Sequence, residues 1–280
     1  LIHLGKDSRP VCLKRFGPKY PTSWDTISSP GQVTDCIPPI QAALDGFLEL
    51  GDFDGASKTA GNLSESWLFC GKIAESLNYA RKSVEFSEKT DNFGRYSKLT
   101  TLGDVLHYTG SFAEALEAFK RAQALKLENR PDEPFLESIW GYRYCDLLLS
   151  MGEFEVVRHR ALSQLEGSKA NEISYDVALA QLALGRACSG LGDSELAIRS
   201  LDDSVERLRS LGNQAMLAKA LLARCRHWRL SNRLREAARD LRDCRKTCQF
   251  GGISLLLSNC DLSKHKSVLL KESSKPLSSQ

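Results

Sequence analysis

Apolar residues recur three and four positions apart from Ile40 to about Cys248, the periodicity of helices that each bury one face. No convincing alternation of apolar and polar residues interrupts this run, so no strands are expected. Proline sets the limits. Six of the nine prolines fall at 10, 18, 21, 30, 38 and 39, and only Pro131 and Pro134 lie between Ile40 and Cys248. Proline lacks a backbone donor and breaks helix interiors, so residues 1–37 read as irregular. Residues 38–262 then form the helical body, and the Ser- and Lys-rich stretch 263–280, with Pro276, reads as a polar tail.

Glycine divides the helical body into repeats. Turn motifs begin at Gly51, Gly71, Gly110, Gly152, Gly192 and Asn232, and from Gly71 onward the steps are 39, 42, 40 and 40 residues. Each opens on a residue tolerant of positive φ, where a helix must stop, and most reach a small residue five positions later. The pattern predicts a helix, a tight turn and a second helix packed closely on the first. Around Gly110, Leu99, Leu102, Gly103 and Leu106 precede the turn, and Ala115, Phe119 and Ala122 follow it. Gly103 and Ala115 let two helices approach, while Leu102, Leu106 and Phe119 fill the space beside them.

This small-beside-large spacing resembles the tetratricopeptide repeat (TPR). The same offsets give Leu184, Gly185, Cys188, Ala197, Leu201 and Ser204 around Gly192, and Leu221, Arg224, Cys225, Trp228, Ala237, Leu241 and Cys244 around Asn232, where Arg224 stands in an apolar position. The units at Gly152 (Tyr144, Cys145, Leu148, Val157, Ala161) and Gly71 (Leu63, Ser64, Trp67, Ser76, Ala80) match more weakly. Gly51 and Gly71 are only 20 residues apart, so one helix must serve two successive pairs. The repeat of ~40 residues exceeds the usual ~34, which calls for longer helices or loops such as Arg130-Pro-Asp-Glu-Pro134. Over residues 40–250 the resemblance implies an all-α, right-handed α-solenoid of about five TPR-like helix-turn-helix repeats. The segments Ala60-Gly-Asn-Leu-Ser-Glu-Ser66 and Gly141-Tyr-Arg-Tyr-Cys-Asp-Leu-Leu-Leu149 look like bacterial TPR proteins that form arms of signalling NTPase receptors. No phosphate-binding Gly-x-x-x-x-Gly-Lys-Ser/Thr loop is present, so no nucleotide chemistry accompanies that likeness.

Composition narrows the chemistry further. With 42% hydrophobic and 26% charged residues the chain is globular, and its net charge of +3 makes neither nucleic acid nor an anionic membrane a default partner. No apolar run approaches the ~20 residues of a membrane span. The chain opens on Leu1, which reads as a fragment or a trimmed product. Nine cysteines, an odd number scattered through a chain able to build a core, point to reduced thiols and a cytoplasmic setting. The five histidines are far apart and form no ligand pair, no nucleophile motif occurs, and neither cofactor nor catalytic residue is expected. Cys244 and Cys248 share a helix face, but no further Cys-His spacing completes a metal site.

The expected function is non-catalytic binding of a protein or peptide. In the resembling family, first-helix positions beside the packing residues face a concave groove; here these are Glu65, Thr100, Asp104, His107, Tyr142, Asp146, Arg186, Lys219, Arg226 and Arg229. Such a groove runs from acidic to basic and suits a ligand with an acidic segment at its basic end. Residues 219–246 hold ten basic residues against three acidic, a local charge of +7, with Arg235, Arg239 and Arg242 on one face. A module binding nucleic acid or an anionic ligand through that segment is the first alternative, and an enzyme with a hidden site the second. Self-association through an exposed terminal helix also stays open.

Overall fold

The computed structural model describes residues 33–90, 94–169, 174–258 and 260. Most of the expected irregular N-terminal segment and all of the tail at 263–280 lie outside the described residues. Among the described residues eleven helices follow one another: α1 (Val33–Glu49), α2 (Phe53–Phe69), α3 (Ile73–Glu88), α4 (Arg95–Thr109), α5 (Phe112–Asn129), α6 (Ser138–Ser150), α7 (Phe154–Lys169), α8 (Ser174–Leu191), α9 (Ser194–Ser210), α10 (Gln214–Leu230) and α11 (Leu234–Gly251). A last helical turn covers 254–258, and no strand occurs among the described residues. The chain divides into two compact units, one ending at Pro134 and the other comprising Phe69–Gly71 and the chain from Phe135.

All six turns anticipated from the sequence have left-handed backbone at their first residue, from Gly51 at φ +68° to Gly192 at +85°, with Asn232 at +55°. At Gly110 this geometry lets the amide donate to His107 O while the next amide, of Ser111, reaches back to Leu106 O at 3.0 Å, closing the end of α4. Asparagine manages the same conformation at 232 because its short polar side chain tolerates it. Gly212 and Gly252 mark two further such turns.

In the first unit, α2 packs on both α1 and α3, the double service that the short Gly51–Gly71 spacing requires. Leu44 of α1, Ala56, Ala60 and Leu63 of α2 and Phe86 of α3 form one buried cluster, flanked by Phe47, Phe53, Trp67 and Tyr79. Serines bring α2 and α3 together: Ser57 and Ser83 each donate to the other's carbonyl at 2.8 and 2.7 Å, and Ser76 donates to Ser64 O at 2.8 Å. The weak TPR match at Gly71 thus has a physical reading. Small hydroxyls permit the same close approach as alanine and satisfy themselves on the facing backbone.

Helix α1 begins at Val33 and carries Pro38 and Pro39 inside it, so regular structure starts earlier than the expected boundary at 38. The missing amide donors are those that would reach the carbonyls of residues 34 and 35. Both residues are exposed at the helix start, where water can serve instead.

The second unit is more regular. Helix α6 pairs with α7, α8 with α9 and α10 with α11, while α6 also touches α8, and α8 touches α10, so the first helices of three pairs form one layer. A Cβ at Gly185 would lie 2.7 Å from Leu201 Cγ and 3.0 Å from Ala197 O. Only glycine lets α8 and α9 come this close. One contact recurs through the molecule at a fixed separation of 26 residues: Ser57 with Ser83, Ser204 Oγ to Ala178 O at 2.8 Å, and Cys244 Sγ to Ala218 O at 3.4 Å. It ties the second helix of a pair to the first.

Candidate binding face

The clearest polar constellation arises from the layer of first helices in the second unit. Tyr142 and Asp146 lie one turn apart on α6, hence on one face, while α8 supplies Arg186 and α10 supplies Lys219. Arg186 Nη2 is 2.7 Å from Asp146 Oδ1, and Arg186 Nη1 donates to the Tyr142 hydroxyl at 3.1 Å. Lys219 Nζ lies 3.4 Å from Asp146 Oδ2 and 5.4 Å from the centre of the Tyr142 ring. Asp146 and Tyr142 are buried, whereas the Arg186 side chain keeps 24% of its surface in solvent. Burial alone would lower the Arg186 pKa, but the Asp146 carboxylate and Tyr142 outweigh it and raise the pKa above its ordinary value. Its contacts with Asp146 and Tyr142 position the guanidinium as a preorganised cation.

Farther along α10, Arg226 is exposed and Arg229 is half-buried. The Arg229 Nε is buried and has no hydrogen-bond partner among the described residues. Together with Arg186 and Lys219 these residues make the cationic part of the expected face.

The remaining expected residues belong to the first unit. Glu65 on α2 accepts from Thr101 Oγ1 at 3.4 Å, and the charge of Lys98 lies within its field. Asp104 is buried on α4. His107 is half-buried, with its ring 5.7 Å from that of Phe112. Thr100 is fully buried and its hydroxyl donates to Ser97 O at 2.8 Å, so its role is packing and local hydrogen bonding.

No protein-family profile matches the sequence, and no curated protein sequence matches it. Among solved structures, a Rap protein complexed with competence and sporulation factor superposes with a TM-score of 0.60 at 12% identity, covering 85% of this chain and 73% of that one. YrrB, a TPR protein with an unusual peptide-binding site, has a TM-score of 0.40 at 12% identity over 78% of this chain and 97% of its own. MamA from Desulfovibrio magneticus RS-1 has a TM-score of 0.40 at 18% identity over 69% and 95%. The chain has a TPR fold.

Within that fold, the structure resolves several charges differently from a count along the sequence. Arg224 does not add to a free basic surface: its Nε and Nη2 grip Asp240 at 2.8 and 2.7 Å, and Nη1 reaches Asp202 at 2.8 Å, so one guanidinium joins α9, α10 and α11. This explains its presence in a position where TPR units carry an apolar residue. Arg233 pairs with Glu236 at 2.5 Å and lies 4.1 Å from the Trp228 ring centre. Arg235, Arg239 and Arg242 are exposed along α11, as their spacing suggests.

Two buried polar positions left no trace in the sequence reading. Arg160 of α7 lies 4.6 Å from the ring centres of both Phe135 and Tyr144, a cation–π contact on two sides. His227 is buried and its Nδ1 lies 3.0 Å from Ser189 Oγ, linking α10 to α8; burial lowers its pKa. None of the helices described is long and apolar enough to cross a membrane.

Proposed function

We propose that this chain is a non-catalytic scaffold that binds a protein or peptide on the face built by α6, α8 and α10. Arg226 and Arg229, beside the Asp146-bound Arg186 and Lys219 on the same face, take an acidic segment of the ligand. The carrying observation is the convergence of side chains from three successive first helices on Asp146. A Tyr, a carboxylate and two cations held in mutual contact on the layer of first helices support a recognition role for that face beside their part in joining the helices. Their prior ordering lowers the entropic cost of association, and guanidinium groups suit carboxylates. The Rap protein, whose fold is similar, is seen complexed with competence and sporulation factor, which supports ligand binding as the use of this architecture. A sensor or adaptor arm within a larger assembly is the corresponding cellular role.

The test is selection of a random peptide display library on the full chain, with the selected peptides synthesised and measured by fluorescence anisotropy. Acidic residues should be enriched, and Arg226→Glu/Arg229→Glu should weaken binding at least ~10-fold, with salt weakening it further. Peptides without acidic enrichment, or affinities unchanged by charge reversal, would overturn the reading.

A further inference from the structure

The last described part of the chain gathers three thiols. Cys244 and Cys248 lie one turn apart on the buried face of α11, and both are essentially inaccessible. Gly252 then turns the chain back with φ +65°, and Ile253 N donates to Cys248 O at 2.9 Å. Ile253 and Leu256 are buried, and the helical residues 254–258 bring a fully buried Cys260 onto α11. Cys244 Sγ is 3.2 Å from Cys260 Sγ and 3.9 Å from Cys248 Sγ, and all three sulfurs lie within 4.8 Å of one another. All three are free thiols.

Packing does not require this arrangement. In the preceding repeat Ser204 alone makes the contact that Cys244 makes here, a bond to a first-helix carbonyl. Two additional sulfurs converging on the same point form a soft donor set with neither carboxylate nor imidazole in it. An ion bonded to sulfur at ~2.3 Å holds thiolates about 3.8–4.0 Å apart, so the triangle present needs only shifts below an ångström. Arg245 lies close enough for its charge to act on Cys260 and offset the negative charge of thiolates.

We propose that Cys244, Cys248 and Cys260 form a site for one thiophilic d10 metal ion, Cu(I) or Zn(II). Each coordinating thiol loses its proton to solvent and gives a sulfur lone pair to the ion, and no electron is transferred. Cu(I) is satisfied by three sulfurs, whereas Zn(II) takes water as a fourth ligand. The bound ion fastens Cys260 to α11 and thereby caps the last repeat, whose outer side has no following helix pair among the described residues. This site is independent of the peptide-binding face.

The test loads the full reduced chain anaerobically with Zn(II), or with Cu(I) supplied from a competing chelator. Stoichiometry is measured after desalting, and thiol protection by iodoacetamide labelling with peptide mass spectrometry. The expected result is one equivalent of at least one of the two ions, with Cys244, Cys248 and Cys260 shielded together. Cys260→Ala and Cys244→Ser should weaken binding at least ~100-fold, while Cys70→Ser keeps it; helical circular dichroism identifies any variant that has merely unfolded. Protection confined to Zn(II) or to Cu(I) identifies the ion. Failure of both ions to bind, binding retained in a folded Cys260→Ala variant, or equal labelling of the three thiols with and without ion would overturn the proposal.

Discussion

The two units solve the same packing problem with different chemistry. In the first, α2 and α3 meet through neutral serines that donate to facing carbonyls, around a cluster of Leu44, Leu63, Phe86 and small residues. In the second, charged groups join neighbouring helices: Arg224 with Asp202 and Asp240, and Arg186 and Lys219 with Asp146. A serine contact contributes about 1 kcal/mol and its loss leaves only a neutral group unsatisfied, whereas a buried ion pair leaves a costlier unpaired charge when half of it is removed. Regularity of repeats and investment in charge coincide in the second unit, and there the first helices lie side by side.

The contrast can be broken most forcefully at Arg224. Arg224→Ala should cost ~3–5 kcal/mol in urea unfolding followed by circular dichroism, because Asp240 is left buried without its bidentate partner; Arg224→Met/Asp240→Leu should recover much of that loss. If the single variant costs under ~1 kcal/mol, the clamp is not a stability element. Gly185→Ala comes next, at about 1–3 kcal/mol, since its methyl would press on Leu201 and the Ala197 carbonyl. Ser83→Ala in the first unit should cost only about 1–2 kcal/mol, and a loss equal to that of Arg224→Ala would erase the distinction drawn between the units.

The smallest effect concerns pH. Burial, reinforced by the charge of Lys58, lowers the Lys98 pKa to about 8 from 10.5. The unfolded chain therefore binds more protons between those values, so this residue makes stability rise as pH climbs from about 8 toward 10.5. Lys98→Met should remove that rise, measured as a urea midpoint that no longer climbs between about pH 8 and 10.5. An unaltered pH profile would contradict the assignment.

What could be read in advance was whatever is encoded locally. Turn glycines announce themselves because a helix end needs a left-handed residue, and Gly103 opposite Phe119 follows from offsets within one helix pair: a Cβ there would meet the ring at 2.9 Å. The shared use of α2 followed from spacing alone. Partners on other helices stayed hidden. Arg224 read as one more positive charge because Asp240 and Asp202 lie 16 and 22 residues away, and Cys260 meets Cys244 only through the reversal at Gly252. The start of α1 was hidden for the opposite reason: Pro38 and Pro39 argue locally against a helix, yet their missing donors fall at its exposed beginning. For the proposed binding face, helix offsets named candidate residues, while the contacts of Tyr142, Asp146, Arg186 and Lys219 required the stacking of three repeats.

Hydrogen–deuterium exchange of the full chain with and without a selected acidic peptide tests the central claim most directly. The account predicts slowed exchange in the first helices of the second unit, 138–150, 174–191 and 214–230, with little change in 194–210 and 234–251. Protection concentrated on those second helices, or absent from all three first helices at saturating peptide, would contradict it.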